Sequence, residues 1–117
     1  MAYKFEKLDV WQMAVEYIDM IYKLAEQLPK NEEYNLRSQI IRAATSIALN
    51  IAEGSTGQSD AEQNRFLGMA LRSLIETVAC LHLIKRRTYA PNEDVMLVYE
   101  FSEKLSIKLQ AFRKALS

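Results

Sequence analysis

Apolar residues recur at alternating three- and four-residue steps in four segments, at about residues 9–28, 31–53, 60–87 and 93–116. This spacing puts apolar side chains on one face of an α-helix. The connections between the segments are short, and short connections make consecutive helices antiparallel neighbours. The pattern predicts an all-α fold, an antiparallel up-down-up-down four-helix bundle, with residues 1–117 forming a single domain.

Each predicted helix has a core stripe and a terminal signal. Asp9, Asn31, Ser59 and Asn92 suit helix N-caps, with Glu62 completing a capping box, and Gly54 suits the left-handed position after a helix end. The predicted core residues are Trp11, Ala14, Val15, Ile18, Ile21, Tyr22, Ala25 and Leu28; Leu36, Ile40, Ala43, Ile47 and Ile51; Phe66, Ala70, Leu74, Thr77, Leu81 and Ile84; and Val95, Val98, Phe101, Leu105, Leu109, Phe112 and Leu116.

A second apolar edge follows every predicted helix. It comprises Val10, Met13, Met20, Ile41, Leu49, Met69, Leu71, Leu83, Met96, Leu97 and Ile107. One reading is a set of broad core stripes with scattered surface hydrophobes. We favour a subunit interface, because surplus apolar edges on four helices are typical of a symmetric homo-oligomer.

Charge and composition limit the classes of function. Fifteen basic residues balance fifteen acidic ones, which argues against a strong non-specific nucleic-acid binder but leaves room for a local basic patch. The N-terminal segment lacks a signal-peptide pattern, and no uninterrupted apolar run approaches the roughly 20 residues that span a bilayer. We therefore expect a cytoplasmic protein without a membrane partner.

Enzymatic chemistry finds little support in the sequence. The single histidine, His82, has no acidic or second ligating residue three or four positions away. The single cysteine, Cys80, lies two residues from it and so on roughly the opposite side of the helix, which excludes a nucleophilic pair within that helix. Glu-x-x-His pairs and phosphate-binding glycine motifs are absent. We expect no catalytic residues, no metal site and no cofactor.

A polar stripe lies beside the core stripe of the second helix and consists of Gln39, Arg42, Ser46, Asn50 and Glu53. We expect it to form a hydrogen-bonded network that fixes helix register, with Glu62 and Glu76 as partners. The alternative is a ligand or nucleic-acid surface around Arg42, Asn50, Ser59 and Arg65. Exposed basic residues elsewhere, Arg72 and the Lys85-Arg86-Arg87 cluster, have a solvated surface as their default role.

Four segments resemble a known family. Residues 34–54, with the motif from Gln39 to Gly54, closely resemble the signature of the 23S rRNA intervening-sequence proteins, also called four-helix bundle proteins. Residues 5–12, 59–62 and 65–67 also match that pattern. The resemblance extends over nearly the whole chain.

The resemblance implies a long antiparallel bundle that assembles into a homopentameric ring. The related accessory proteins of diversity-generating retroelements bind nucleic acid through a basic surface, so RNA or DNA is the implied partner. The nucleic-acid contacts would then be Arg42, Arg65, Arg72, Lys85, Arg86 and Arg87. The alternative is a protein-interaction or structural scaffold without nucleic-acid binding. Ile41 stands where the family usually has a basic residue, and the linker lacks its usual arginine, so the implied basic surface is weaker here.

Overall fold

The computed structural model describes residues 2–117 and confirms the all-α, up-down-up-down four-helix bundle. The helices are α1 (Asp9–Ala25), α2 (Leu36–Gly54), α3 (Asp60–Arg87) and α4 (Asn92–Leu116). Short 3-10 helices at Lys4–Lys7 and Lys30–Glu32 precede α1 and α2. Each of α1 and α3 packs against both α2 and α4, so α2 and α4 occupy opposite corners of the bundle.

The core stripes of α2, α3 and α4 lie where the apolar spacing predicts them. All five predicted residues of α2 are buried, and Ser102 joins the buried side of α4. Three predicted aromatic residues, Phe66, Phe101 and Phe112, are half-buried, because they stand at the flanks of their stripes.

The core face of α1 differs from the prediction. Val15 and Tyr22 are exposed, whereas Val10 and Tyr17 are buried, and Tyr17 is fully enclosed. The physical reason is that α1 carries apolar residues around most of its circumference, so two neighbouring faces satisfy helical spacing equally well. Packing against α2 and α4 selects the face that the predicted stripe missed.

Two predicted helix ends are displaced. The α1 helix stops at Ala25, and the amide groups of Gln27 and Leu28 bond three residues back, to Leu24 O at 3.0 Å and Ala25 O at 3.2 Å. The α2 helix begins at Leu36 rather than near Asn31, since a separate 3-10 turn occupies Lys30–Glu32.

Most of the predicted caps are also wrong. Asp9 and Asn92 are the first residues of their helices and follow Leu8 and Pro91, and neither helix has a side-chain cap. At α4 the carbonyl of Pro91 accepts the first amide bonds instead. Ser59 does cap α3, accepting a bond from the Glu62 amide at 3.1 Å, as predicted. The Glu62 carboxylate does not complete the predicted capping box, because it pairs with Arg65.

Gly54 plays a steric role rather than the predicted left-handed one. It is the last residue of α2, and a Cβ placed on it would lie 2.7 Å from the Cβ of Phe66. Gly54 therefore permits the close approach of α2 and α3. The left-handed conformation is found at Gly57 in the linker and at Thr88, which ends α3.

Among residues 2–117, one helix, α3, is long and apolar enough in composition to cross a membrane. Of its apolar residues, Leu67, Leu74 and Leu81 are buried in the bundle core. Other apolar residues of α3, Met69, Ile75 and Leu83, are exposed. A single helix of this composition is weak evidence of a membrane span, because a core helix of a bundle can have the same length and composition.

Candidate interaction surfaces

The polar stripe of α2 divides into a buried part and an exposed part. Asn50 is buried, and its amide donates to the Ser46 carbonyl at 2.9 Å and to Ser46 Oγ at 3.1 Å. Ser73 Oγ of α3 donates to Ser46 Oγ at 3.0 Å. These bonds join α2 to α3, so the network exists with a serine as its α3 partner.

The two acidic partners predicted for this network, Glu62 and Glu76, are not part of it. Glu62 pairs with Arg65 at 2.6 Å, and the pair is the one salt bridge found within residues 2–117. Glu76 is exposed and joins no hydrogen bond among the described residues. Glu62 lies eleven residues before Ser73, about three turns away along α3, and its carboxylate is held by Arg65.

The remaining members of the stripe, Gln39, Arg42 and Glu53, are exposed. They stand on the outward face of α2, around the half-buried Ile41 and the exposed Leu49. In the described part of the chain, Arg42 makes no hydrogen bond or ion pair, so its guanidinium is available to another molecule. This face is an open surface and not an enclosed cavity.

The six predicted nucleic-acid contacts do not gather into one patch on a single protomer. Arg65 is held by Glu62 and lies 4.8 Å from the ring centre of Phe66. Arg72 and Lys85 through Arg87 are exposed, and none of these four has an acidic partner in residues 2–117. From Arg65 to Arg87, α3 rises by about 33 Å, so cations at its two ends lie far apart.

His82 and Cys80 point in different directions, as their spacing predicts. His82 is exposed, and its ring meets the edge of Tyr99 at a centroid distance of 6.1 Å. Cys80 is buried, and burial, with a smaller contribution from Glu76, raises the pKa of its thiol. A thiol with a raised pKa is protonated at neutral pH and is a poor nucleophile.

No cluster of potential metal ligands lies in the part of the chain that the structure describes. Nowhere in residues 2–117 do three His, Cys, Asp or Glu side chains come together in a way that would hold an ion.

Two polar contacts that the sequence analysis missed tie the ends of the bundle together. The Tyr89 hydroxyl donates to Glu32 Oε2 at 2.8 Å, joining the turn before α2 to the turn before α4. This bond, followed by the Asn35 bond, lowers the pKa of Glu32. At the other end, Arg113 Nε donates to Asn64 Oδ1 at 2.6 Å, so Arg113 is not simply solvated.

The second apolar edges are largely exposed on the protomer. The exposed members are Leu49, Met69, Leu83, Met96, Leu97 and Ile107, and Ile75 joins them although the sequence analysis did not select it. Met13, Met20, Ile41 and Leu71 instead pack on the core and are half-buried. Val10 is buried, so its assignment to a second edge was wrong.

These features define an all-α bundle whose exposed surface, over the described residues, carries apolar and charged groups. The sequence pattern of the 23S rRNA-intervening sequence proteins matches residues 6–111. The chain belongs to that family.

A solved structure supports the same assignment. The chain is similar to a crystal structure of a protein with unknown function from the S23 ribosomal protein family of Bacteroides thetaiotaomicron. The two share 29% sequence identity, the match covers 90% of this chain and 98% of the other, and the TM-score is 0.82. No curated protein matches the sequence.

Proposed function

We propose that the protein is a non-enzymatic, cytoplasmic, self-assembling four-helix module, and that the assembled form binds structured RNA or DNA. The observation that carries the self-assembly is the number of large apolar side chains left outside a complete core. Leu49, Leu83 and Ile107 are 55%, 55% and 68% exposed, although the bundle already buries a core shared by all four helices. Covering such groups against a second copy removes apolar surface from water at about 25 cal/mol per Å².

Exposed cations without acidic partners support the nucleic-acid part of the proposal. Arg72, Arg86 and Arg87 have no ion pair among the described residues and stand on the outside of α3 or at its end. One protomer presents too few of them in one place for tight binding. An assembly repeats each cation around its symmetry axis, and affinity for a polyanion rises with the number of phosphates neutralised.

The first test is native mass spectrometry of the purified protein over a range of salt, with and without a structured ribosomal RNA fragment. The proposal expects a discrete oligomer that takes up RNA, and less RNA as salt rises. An oligomer that ignores RNA at low salt would reject the nucleic-acid part and favour the protein-interaction scaffold. A monomer at all concentrations would reject self-assembly.

A matched pair of variants locates the RNA contacts. Arg72→Ala with Arg86→Ala removes two charges from α3, and Lys4→Ala with Lys7→Ala removes two from the N-terminal 3-10 helix. We expect the α3 variant to weaken binding and to reduce the salt dependence by about 0.9 in log K per log salt for each lost phosphate contact. Equal losses in both variants would indicate that only total charge matters.

Arg42 distinguishes the two roles considered for the polar stripe. If Arg42 were structural, Arg42→Ala would lower the melting temperature. Because Arg42 is exposed and makes no bond within residues 2–117, we expect assembly or RNA uptake to weaken with no fall in melting temperature beyond the fall that the loss of assembly itself causes. The measurement is circular dichroism melting beside native mass spectrometry of the same sample.

A further inference from the structure

The outward faces of α2 and α4 carry exposed apolar groups without partners in the protomer. These helices stand at opposite corners of the bundle, so their outer faces look away from each other. Leu49 lies near the middle of the α2 face and is 55% exposed, and Ile107 lies on the α4 face and is 68% exposed.

The charges of the α2 face are ordered along the helix. Arg37 and Arg42 lie in its first half, and Glu53 lies at its end. None of the three forms an ion pair within the described residues. The α2 face is therefore positive near the start of the helix and negative near its end.

The charges of the α4 face are ordered in the opposite sense. The first half exposes Glu93, Glu100 and Glu103, and the second half exposes Lys104, Lys108 and Lys114. These side chains likewise form no ion pair inside the described chain. The α4 face is therefore negative near its start and positive near its end.

Contacts to α3 place the two faces on a common axial scale. Ser46 of α2 bonds Ser73 of α3, and α3 meets α4 where His82 packs on Tyr99 and where Asn64 bonds Arg113. Counting along these antiparallel helices puts Leu49 within about one turn of the level of Ile107.

The same counting aligns the charges. Arg42 falls at the level of residues 100–104, where Glu100 and Glu103 stand together with the like-charged Lys104, and Glu53 falls within about one turn of Lys114. Glu33, which precedes α2 near the level of Glu93, is a like charge at the rim of this arrangement.

We infer that the α2 face of one copy packs in parallel on the α4 face of a second copy, with Leu49 against Ile107, Arg42 against Glu100 and Glu103, and Glu53 against Lys114. This inference rests on the self-assembly proposed above and specifies its interface. Because α2 and α4 run in the same direction within a protomer, the contact keeps neighbouring copies the same way up. An antiparallel arrangement would set Arg42 near the lysines of α4 and is disfavoured by repulsion.

The contact is heterologous, since it joins two different faces. Such a contact repeats head to tail and generates a ring when the rotation closes or a filament when it does not. A two-fold dimer would pair one face with its own copy in the antiparallel direction, which the ordered charges also permit. In such a dimer only one of the two charge-reversed faces would weaken assembly, and reversing both faces together would not restore it.

Charge reversal tests the pairing. The α2 variant carries Arg37→Glu and Arg42→Glu, the α4 variant carries Glu100→Lys and Glu103→Lys, and a third chain carries all four changes. Analytical ultracentrifugation over a concentration series measures assembly at low salt. We expect each double variant to raise the dissociation constant at least about tenfold, and the fourfold variant to recover most of this loss.

A matched control keeps the result specific. Lys7→Glu with Lys23→Glu changes the net charge by as much as the α2 variant does, but on the N-terminal 3-10 helix and α1 and not on α2 or α4, and should leave assembly unchanged. Arg37 is half-buried, so Arg42→Glu alone is measured as well, and circular dichroism melting confirms that every variant folds.

The outcomes separate the two proposals. A wild-type oligomer that tolerates both double variants, or that the fourfold variant fails to restore, overturns the α2–α4 interface and leaves self-assembly standing. A wild-type chain that stays monomeric overturns self-assembly itself, and this interface with it. Restoration by the fourfold variant, with a silent control, supports the interface.

Discussion

The buried hydroxyl pair between α1 and α3 offers the sharpest test of how the core is held. Tyr17 and Thr77 are both fully buried, and their hydroxyl oxygens lie 2.8 Å apart. Thr77 Oγ1 also donates to the Leu74 carbonyl at 2.6 Å. Because the Thr77 hydrogen is used in that bond, the Tyr17 hydroxyl must donate to Thr77.

This direction of bonding makes the two single changes unequal. Thr77→Val keeps the side-chain shape but removes the acceptor, so the Tyr17 hydroxyl is buried without a partner at a cost of about 1–3 kcal/mol. Tyr17→Phe removes the donor, while Thr77 keeps its bond to Leu74, and should cost about 0.5–1.5 kcal/mol. The double variant replaces both polar groups with apolar ones and should be more stable than Thr77→Val alone.

Urea unfolding followed by circular dichroism measures these free energies at one fixed chain concentration. For a chain of this size, 1 kcal/mol corresponds to about 4 °C in melting temperature, so thermal melts give an independent check. The reasoning is refuted if Thr77→Val costs no more than Tyr17→Phe, or if the double variant costs the sum of the two.

Three further predictions follow from individual contacts. Gly54→Ala should lower the free energy of unfolding, measured in urea, by about 1–3 kcal/mol, because the added Cβ would lie 2.7 Å from the Cβ of Phe66. An unchanged unfolding midpoint would mean that α2 and α3 can move apart to admit the Cβ without loss of stability. Tyr89→Phe should lower the melting temperature at neutral pH. That difference should vanish as the pH falls through the lowered pKa of Glu32, because the protonated carboxyl no longer favours the bond. Burial raises the pKa of Tyr17 to about 12 from 10.0, so the wild type should lose stability between these pH values, by up to about 1.4 kcal/mol per pH unit. In the Tyr17→Phe variant this loss of stability should be absent. An equal loss of stability in the two proteins over this pH range would contradict the assignment of the effect to Tyr17.

The fold followed from the sequence because three helices have one unambiguous apolar face. The α2 stripe through Ile40, Ile47 and Ile51 is flanked by charged and polar residues, so only one orientation buries it. The α1 helix also separates polar from apolar residues, but its apolar arc is wider than the core needs, so the spacing does not fix which part of the arc is buried. Its true core face, with Tyr17 at the centre, is determined by the packing of α1 against α2 and α4.

Helix ends were less predictable than helix faces, because an end is decided by small local energies. A cap contributes about 1 kcal/mol, and several arrangements of one turn compete at that scale. Asn31 has a suitable side chain, yet the 3-10 turn at Lys30–Glu32 displaces the helix start to Leu36. The prediction for Ser59 was correct because its hydroxyl, directly after the linker, accepts a hydrogen bond from the Glu62 amide.

Side-chain partners across helices were the least predictable part of the candidate surfaces. Composition shows that Asn50 and Ser46 need hydrogen bonds, but it does not show that Ser73, 27 residues from Ser46, supplies one. The Glu32–Tyr89 bond joins residues 57 apart and had no local signal. Such pairs depend on the relative rotation and axial shift of packed helices, which residue spacing within one helix does not contain.

Net charge, finally, is a poor guide to what this surface does, since the charges are ordered in space. A formal charge of zero argues against a uniformly cationic binder, yet zero is also the result expected when one helix face complements another on the next copy. If Arg42 is neutralised by Glu100 and Glu103 of a neighbour, the cations left for a polyanion are those of α3, such as Arg72 and Arg86. The interface neutralises cations and carboxylates together, so assembly would favour polyanion binding by repeating the α3 cations around the symmetry axis and not by raising the net charge.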